Sequence, residues 1–515
     1  MNLRIVATFL LFVFICSLAY VRLMVSGFDV ESFSIGDEPL SVKVITDKNR
    51  EHCGTVLFLH GYSGHKESLK LLAYAAASTG FVSVLVDLPG HGGSGGFMEA
   101  RAVNPRISQF EDSILEVVEF LRNKGYNLSK LSVVGHSMGG ALACYLGIKY
   151  DVFDVVVGIA PGIGHFVDIV PQNFSLYRPK NLLVVLAEND VLISEETVID
   201  AFERTINQGL EFEKLYNVDG HYREIIKIPK TSHTNIIYNH ETHSVVVSWI
   251  HKILFGSDIT LQFDTQALNS FSKLAVVSGL LAFFLLILCA YKGFDGDRIN
   301  ISGKIFLFTI GLSFIIAMVA IFVLLLTRII LSALIVGCIL GFVLSFIMVK
   351  RISIKSIINV FKPKNIALGL ALGFIPMLIS EITVGTVRLS FMSGFMRRIY
   401  AFPVFLMVAM FIFWFYFKAS IFNNKGSKRI VYEILDIIVL LLPPTVLIIV
   451  FTLIVAPESL AIIFPISSIH IATILALSLI GRYLGRLDMD MRIIFCATIY
   501  AILAINLSPI TKLIL

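Results

Sequence analysis

The chain has 515 residues, 56% of them hydrophobic and only 15% charged, which excludes a single soluble domain. Its net charge of +5 is unevenly placed: residues 27–272 hold 19 basic and 29 acidic residues, so the basic excess lies elsewhere. That distribution argues against a nucleic-acid partner and fits basic loops flanking membrane helices.

Ile5–Val21 is an apolar run behind Arg4. It reads as a cleaved signal peptide or an uncleaved anchor. The apolar character continues through Leu23-Met24-Val25, which favours an anchor over residues 1–27. Residues 28–265 are polar overall and alternate two kinds of segment. Short β-rich runs fall at Ser41–Ile45, Thr55–His60, Val82–Asp87, Leu131–Gly135, Val155–Ala160, Leu182–Ala187 and Glu224–Ile228. Amphipathic stretches fall at Glu67–Thr79, Ile107–Lys124, Ala141–Tyr150, Glu195–Asn207 and His243–Leu254. This alternation predicts an α/β domain with a mainly parallel sheet. Right-handed crossovers then gather the loops at the strand carboxyl ends, where ligands bind.

From Leu274 onward, long apolar runs predict an all-α polytopic transmembrane domain over residues 266–515. They fall at Leu274–Tyr291, Ile305–Leu326, Ile329–Val349, Ile366–Val387, Ile399–Phe417, Ile434–Val455, Leu460–Ile480 and Ile493–Leu507. With the first run, that makes about nine helices, most of them near the ~20 residues that span a bilayer. An N-terminus on the inner side puts sixteen basic residues inside and seven outside. The positive-inside rule therefore predicts a multi-pass cell-membrane protein whose α/β domain is extracytoplasmic. The outer pair Arg397-Arg398 runs against the rule. Within the apolar runs, Glu381, Asp436 and His470 are polar groups that need a reason. Asp436 is expected at a solvated helix end, and Pro443-Pro444 is expected to break or kink its helix.

The stretch that carries chemistry is Leu131–Gly140. It reads as a buried strand, a Gly135-His136-Ser137-Met138-Gly139 turn and a helix start. This G-x-S-x-G pattern lifts Ser137 to the carboxyl end of a parallel strand, with glycines where neighbouring backbone packs too close for a Cβ. A serine nucleophile needs a base, a group that orients the base, and oxyanion donors. For the donors, His60-Gly61-Tyr62-Ser63-Gly64 follows the strand Thr55–Leu59, and the Tyr62 N–H would stand beside that of Met138. For the orienting acid, Asp190 follows Leu182–Leu186, with Glu188 as its rival. For the base, His233 follows Glu224–Ile228, with His221, His240 and His243 as rivals.

The order Ser137, Asp190, His233 joins three ordered motifs: His60–Glu67, Asp87–Ser94 and Gly135–Gly140. Over residues 40–255 the chain resembles the α/β-hydrolase superfamily. Within it, the chain is similar to the serine-aminopeptidase-like and monoglyceride-lipase-like hydrolases. The resemblance implies Ser137 as nucleophile, Tyr62 and Met138 as oxyanion donors, and Asp87–Ser94 as a structural turn beside the cleft. It implies no metal or cofactor. Relatives often carry a helical cap before the seventh strand. Only residues 161–181 are available here, so no large cap fits and an open cleft is expected. The expected reaction is hydrolysis of a carboxylester of a small-molecule, lipid or lipid-linked acyl substrate at a lipid bilayer. A peptidase of the same fold is one alternative. A transporter or sensor with a ligand-binding hydrolase-like domain is another.

Overall fold

A computed structural model of the protein describes residues 3–101, 105–291, 299–325, 329–358, 361–382, 399–422, 429–455, 460–506, 509 and 511–514. Within them lie two compact units. One is α/β and comprises 15–275 with 511–514; the other is helical and comprises 3–14, 276–382 and 399–509.

Eleven strands belong to the α/β unit: β1 Phe28–Ile35, β2 Leu40–Asp47, β3 Gly54–Leu59, β4 Phe81–Val86, β5 Met98–Arg101, β6 Leu131–His136, β7 Val155–Ile159, β8 Leu182–Ala187, β9 Tyr216–Val218, β10 His221–Ile228 and Thr511–Ile514. Nine of them form one sheet in the order β1-β2-β4-β3-β6-β7-β8-β10-β9. Every pair from β4 through β10 is parallel; β1–β2, β2–β4 and β10–β9 are antiparallel. The central strands are buried on both faces, which is why they read as unbroken Val/Leu/Ile runs.

Successive side chains alternate between two cores. Leu57 and Leu59 join a cluster with helices α3 (Glu111–Asn123), α4 (Met138–Lys149) and α5 (Glu195–Glu203). Val56 and Phe58 join the opposite cluster with α2 (Lys70–Ala77) and α6 (His240–Phe255). The expected strands and helices are all present. Four strands were not anticipated. β1 is a polar edge strand with a mostly exposed pattern. β9 is three residues long, joined to β10 through Asp219 and Gly220 at φ +50° and +82°. β5 pairs in parallel with residues 511–514. The connection from β7 to β8 contains one short 3-10 turn and two isolated bridges, so no helical cap stands there.

Eight helices among the described residues are long and apolar enough to cross a membrane: Leu3–Met24, Thr265–Tyr291, Gly303–Ile321, Ser332–Val349, Ile399–Lys418, Ile430–Val450, Ile466–Tyr483 and Met489–Asn506. Pro363–Ile379 is a shorter apolar helix. Close packing inside the helical unit uses small residues at i and i+4. A Cβ on Gly337 or Gly341 would come within 2.5 Å of Ile321 or 2.4 Å of Ala317. Gly369 and Gly373 meet Ile494 and Thr498 in the same way.

Several expectations for this unit are corrected. Asp436 is not solvated; it is buried and accepts from Ser420 Oγ at 2.7 Å and from the amides of Ile421 and Phe422 at 2.7 and 2.9 Å. Arg482 and Arg492 are buried inside helices. Arg482 pairs with Glu433 and stands 3.7 Å from Asp436. Pro443-Pro444 does not break its helix, which is continuous over Arg429–Val455. Pro444 has no N–H for the Leu440 carbonyl, and the Tyr416 hydroxyl donates to that oxygen instead, at 3.3 Å. His470 is fully buried, with Nδ1 at 2.9 Å from the Tyr500 hydroxyl. Arg397, Arg398 and the Glu381 side chain lie outside the described residues.

Candidate active site

Ser137 sits between β6 and α4 at φ +55°, ψ −117°. The strain expected of this turn is therefore carried by the serine itself, at an angle L-residues rarely adopt. The flanking glycines serve space rather than angle. A Cβ on Gly135 would lie 1.9 Å from the Gly139 carbonyl oxygen, and one on Gly139 would lie 2.1 Å from that of Leu59. The Ser137 backbone is tied on both sides: its amide donates to Ile159 O at 2.9 Å, and its carbonyl accepts from Ala141 and Gly162 at 2.9 and 3.0 Å.

The structure brings Ser137, His233 and Asp190 together. His233 Nε2 is 2.9 Å from Ser137 Oγ, and His233 Nδ1 is 2.8 Å from Asp190 Oδ2. Both the imidazole and the carboxylate are at least nine-tenths buried. Asp190 Oδ1 accepts from the amides of Leu192 and Ile193 at 2.9 and 3.1 Å. Burial alone would raise the Asp190 pKa. The His233 hydrogen bond and charge, with the two amides, outweigh it and hold the carboxyl below its ordinary range. With Asp190 ionised, His233 Nδ1 carries the proton and Nε2 faces the serine with its lone pair.

The rivals are placed elsewhere. Glu188 accepts from the Lys230 amide at 2.7 Å and braces the turn before His233. His221 opens β10, at the opposite end of the strand from His233. His240 and His243 lie in the first turn of α6 and both contact Thr265 Oγ1.

The oxyanion candidates flank the serine. Met138 begins α4, so its amide is among the unpaired N–H groups at a helix start. Tyr62 follows Gly61, where a Cβ would lie 3.1 Å from both Ser137 Cβ and His136 Nδ1. The loop is stiffened from behind. Gly64 N donates to Gly61 O at 2.9 Å, and Leu88 N donates to His60 Nε2 at 3.0 Å. With Nε2 accepting, His60 Nδ1–H donates to Gly61 O at 2.8 Å. Asp87 accepts from the Lys66 amide at 2.6 Å and the Gly93 amide at 2.9 Å, and pairs with the Lys66 ammonium. Burial pushes the Asp87 pKa up, but Lys66 and the neighbouring imidazoles bring it down to about 2. The segment Asp87–Ser94 is thus a buried polar turn.

Two imidazoles were not weighed from sequence. His136 places Nε2 2.8 Å from the His233 carbonyl oxygen and steadies the base from its backbone. His165, in the β7–β8 connection, has its pKa held below the usual value, chiefly by burial and then by His233. The first lies inside the serine motif, but its contact crosses 97 residues of sequence and only the fold reveals it.

Residues 50–204 match the family model described as serine aminopeptidase, S33. Over 98 residues the chain is 32% identical to a monoacylglycerol lipase of Mycolicibacterium smegmatis, covering 19% of this chain and 33% of that protein. Over 171 residues it is 24% identical to YitV of Bacillus subtilis, an esterase by name, covering 32% of this chain and 65% of that protein. The chain thus spans about a third and just under two thirds of these two curated relatives. Among solved structures, XC6422 of Xanthomonas campestris, a serine hydrolase without lid, aligns at 19% identity and TM-score 0.33, over 44% of this chain and 94% of that one. With its sheet order, its serine elbow and this family match in one unit, the α/β part of the chain has the α/β-hydrolase fold.

Proposed function

We propose that the chain is a membrane-bound serine hydrolase that cleaves acyl esters through an acyl-Ser137 intermediate. The observation that carries this reading is the continuous line from Ser137 Oγ to His233 Nε2 at 2.9 Å and from His233 Nδ1 to Asp190 at 2.8 Å. His233 takes the Ser137 proton as the oxygen attacks the acyl carbonyl. The tetrahedral oxyanion accepts from the Tyr62 and Met138 amides. The imidazolium, steadied by Asp190, returns the proton to the leaving alcohol. A water activated by the same imidazole then releases the acid.

A lipid or lipid-linked acyl substrate suits the chain because the cleft lacks a helical cap and apolar helices of spanning length accompany it. The bilayer would supply the acyl-chain surface a cap provides elsewhere. The names of the Mycolicibacterium and Bacillus relatives support an ester. The description of the family model favours a second reading, a peptidase with the same residues in the same roles. The excess of basic residues in one set of loops supports an extracytoplasmic hydrolase unit in the cell membrane.

The test is fluorophosphonate labelling of isolated membranes, with wild type beside Ser137→Ala and His233→Ala. Labelling lost in both variants is expected. A folded wild type that does not label would overturn the hydrolase reading in favour of a ligand-binding or transport role. Turnover of short acyl esters against peptide amides then separates esterase from peptidase.

A further inference from the structure

Helix α7, Thr265–Tyr291, is one of the eight apolar helices, yet its first turns belong to the α/β unit. Its 27 residues rise about 40 Å at ~1.5 Å each, whereas a bilayer core is about 30 Å thick. The surplus is its polar beginning, Thr265–Lys273. Asp264 caps that end, its Oδ1 accepting from the Ala267 amide at 2.8 Å. Phe263, just before it, packs on Phe28 with ring centroids 5.3 Å apart.

One face of this beginning grips the segment that carries His233. Thr265, Asn269 and Lys273, spaced i, i+4 and i+8, share a side of the helix. Thr265 Oγ1 lies 2.8 Å from His243 Nδ1 and 2.8 Å from His240 Nδ1. Asn269 Nδ2 donates to Tyr238 O at 3.2 Å, and the Lys273 ammonium stands 5.8 Å from the Tyr238 ring centre. The proton positions around Thr265 follow. His243 Nε2 must donate to Ile237 O, 2.9 Å away, so its Nδ1 accepts from the Thr265 hydroxyl. The same oxygen then accepts from His240 Nδ1–H. One hydroxyl thus closes a chain that ends on the Ile236–Tyr238 turn.

That turn is coupled to the base within a few residues. The amides of Asn235 and Ile236 donate to Ser232 O at 3.2 Å, and the Ser232 amide donates to Asn235 Oδ1 at 2.6 Å. His233 follows Ser232 directly. We infer that the first turns of α7 are a positioning device for His233, which makes a membrane-entering helix part of what sets the base. The inference rests on the serine-hydrolase reading. Its consequence is regulatory: a shift or rotation of α7 reaches His233 through the segment 232–238.

The test uses the full chain in membranes, with a p-nitrophenyl acyl ester as substrate and rates normalised to folded protein. Thr265→Val keeps shape but removes the hydroxyl. It is expected to lower kcat roughly 10- to 100-fold, because small misplacements of a catalytic group cost that much, while KM stays within about twofold. Thr265→Ser is expected to restore kcat to within about threefold, because its hydroxyl can bridge the same imidazoles. Amide exchange across residues 232–238 should quicken in Thr265→Val and not in Thr265→Ser. Unchanged kcat and unchanged exchange in Thr265→Val overturn the inference. Should that variant not fold, Asn269→Ala, which loses one donor, decides by the same readouts. Failure of the hydrolase reading is separate: it appears as turnover that survives Ser137→Ala.

Discussion

Replacing Asp190 by Asn isolates one oxygen of the proposed triad. The Oδ1 position keeps both amide contacts, from Leu192 at 2.9 Å and Ile193 at 3.1 Å, so the loop shape survives. The other position, 2.8 Å from His233 Nδ1, changes from an acceptor to an NH₂ that can only donate. The imidazole answers by turning its Nδ1 lone pair to the amide and carrying its proton on Nε2. That proton then points at Ser137 Oγ, 2.9 Å away, and the base is lost with the geometry intact. A wrong tautomer of this kind lowers kcat by about 10⁴, equivalent to about 5.5 kcal/mol of transition-state stabilisation. The assay is ester turnover in membranes beside the rate of fluorophosphonate labelling, with thermal stability as a check on folding. Glu188→Gln is the control. Its exposed carboxylate accepts from the Lys230 amide and touches neither His233 nor Ser137, so kcat should stay within about twofold. An Asp190→Asn enzyme that retains a tenth of wild-type kcat would refute the assignment of Asp190 as the orienting acid.

Gly135→Ala and Gly139→Ala each drive a Cβ into backbone at 1.9 or 2.1 Å, beyond the about 1–3 kcal/mol of ordinary overpacking; neither should give folded protein, and a soluble, fluorophosphonate-reactive Gly135→Ala chain would contradict this. His60 and His243 are buried as neutral rings, burial holding both pKa values down at about 4 against about 6.5 unfolded. Because the unfolded chain takes up these protons first, stability should fall as pH drops from about 6.5 to about 4, by about 3 kcal/mol for each ring. Melting temperatures of the full chain between pH 7 and pH 4.5 test this, and a flat profile would refute it. In the helical unit, Arg482→Met leaves Glu433 and Asp436 buried without their cation, at a cost of about 3–5 kcal/mol; yield and thermal stability should fall, and Arg482→Met with Glu433→Met should recover part of the loss.

Most of the α/β sheet was legible because its strands are buried on both faces. Val155–Ile159 and Leu182–Ala187 could be read as strands from unbroken apolar runs alone. β1 was missed for the opposite reason: it is an edge strand whose apolar residues, Phe28, Val30, Phe33 and Ile35, are interrupted by exposed Glu31 and Ser32 and form no unbroken run. Ser137, Asp190 and His233 could be proposed because each follows a legible strand, and a parallel sheet gathers those ends on one side. His136 and Thr265 could not, since their roles rest on contacts across 97 and 22 residues that no local pattern encodes. Asp436 is buried where a solvated helix end was expected, because apolar periodicity says how apolar a helix is, not which of its faces meets an opposite charge. The sequence places the start of the transmembrane domain at residue 266, and the compact α/β unit extends through Ala275.

The buried charges obey one rule in two settings. In the α/β unit, Asp87 lies fully buried and is matched by the Lys66 ammonium and by the amides of Lys66 and Gly93. In the helical unit, the Arg482 guanidinium is matched by Glu433 and by the carbonyls of Tyr416 and Ala419. Such clusters add little net stability over an apolar core, because desolvation offsets most of the attraction. What they do is penalise every arrangement but one, since moving any member leaves another charge unpaired. Behind the loop of Tyr62, the proposed oxyanion donor, that penalty would have a chemical use: such a donor stabilises the transition state only if it is already in place, and Asp87 holds the Lys66 amide that follows the loop. Asp87→Asn should therefore slow acylation while leaving Ser137 and His233 where they are. At Arg482, whose described partners are Glu433 and main-chain carbonyls, the same substitution logic should be read out as stability.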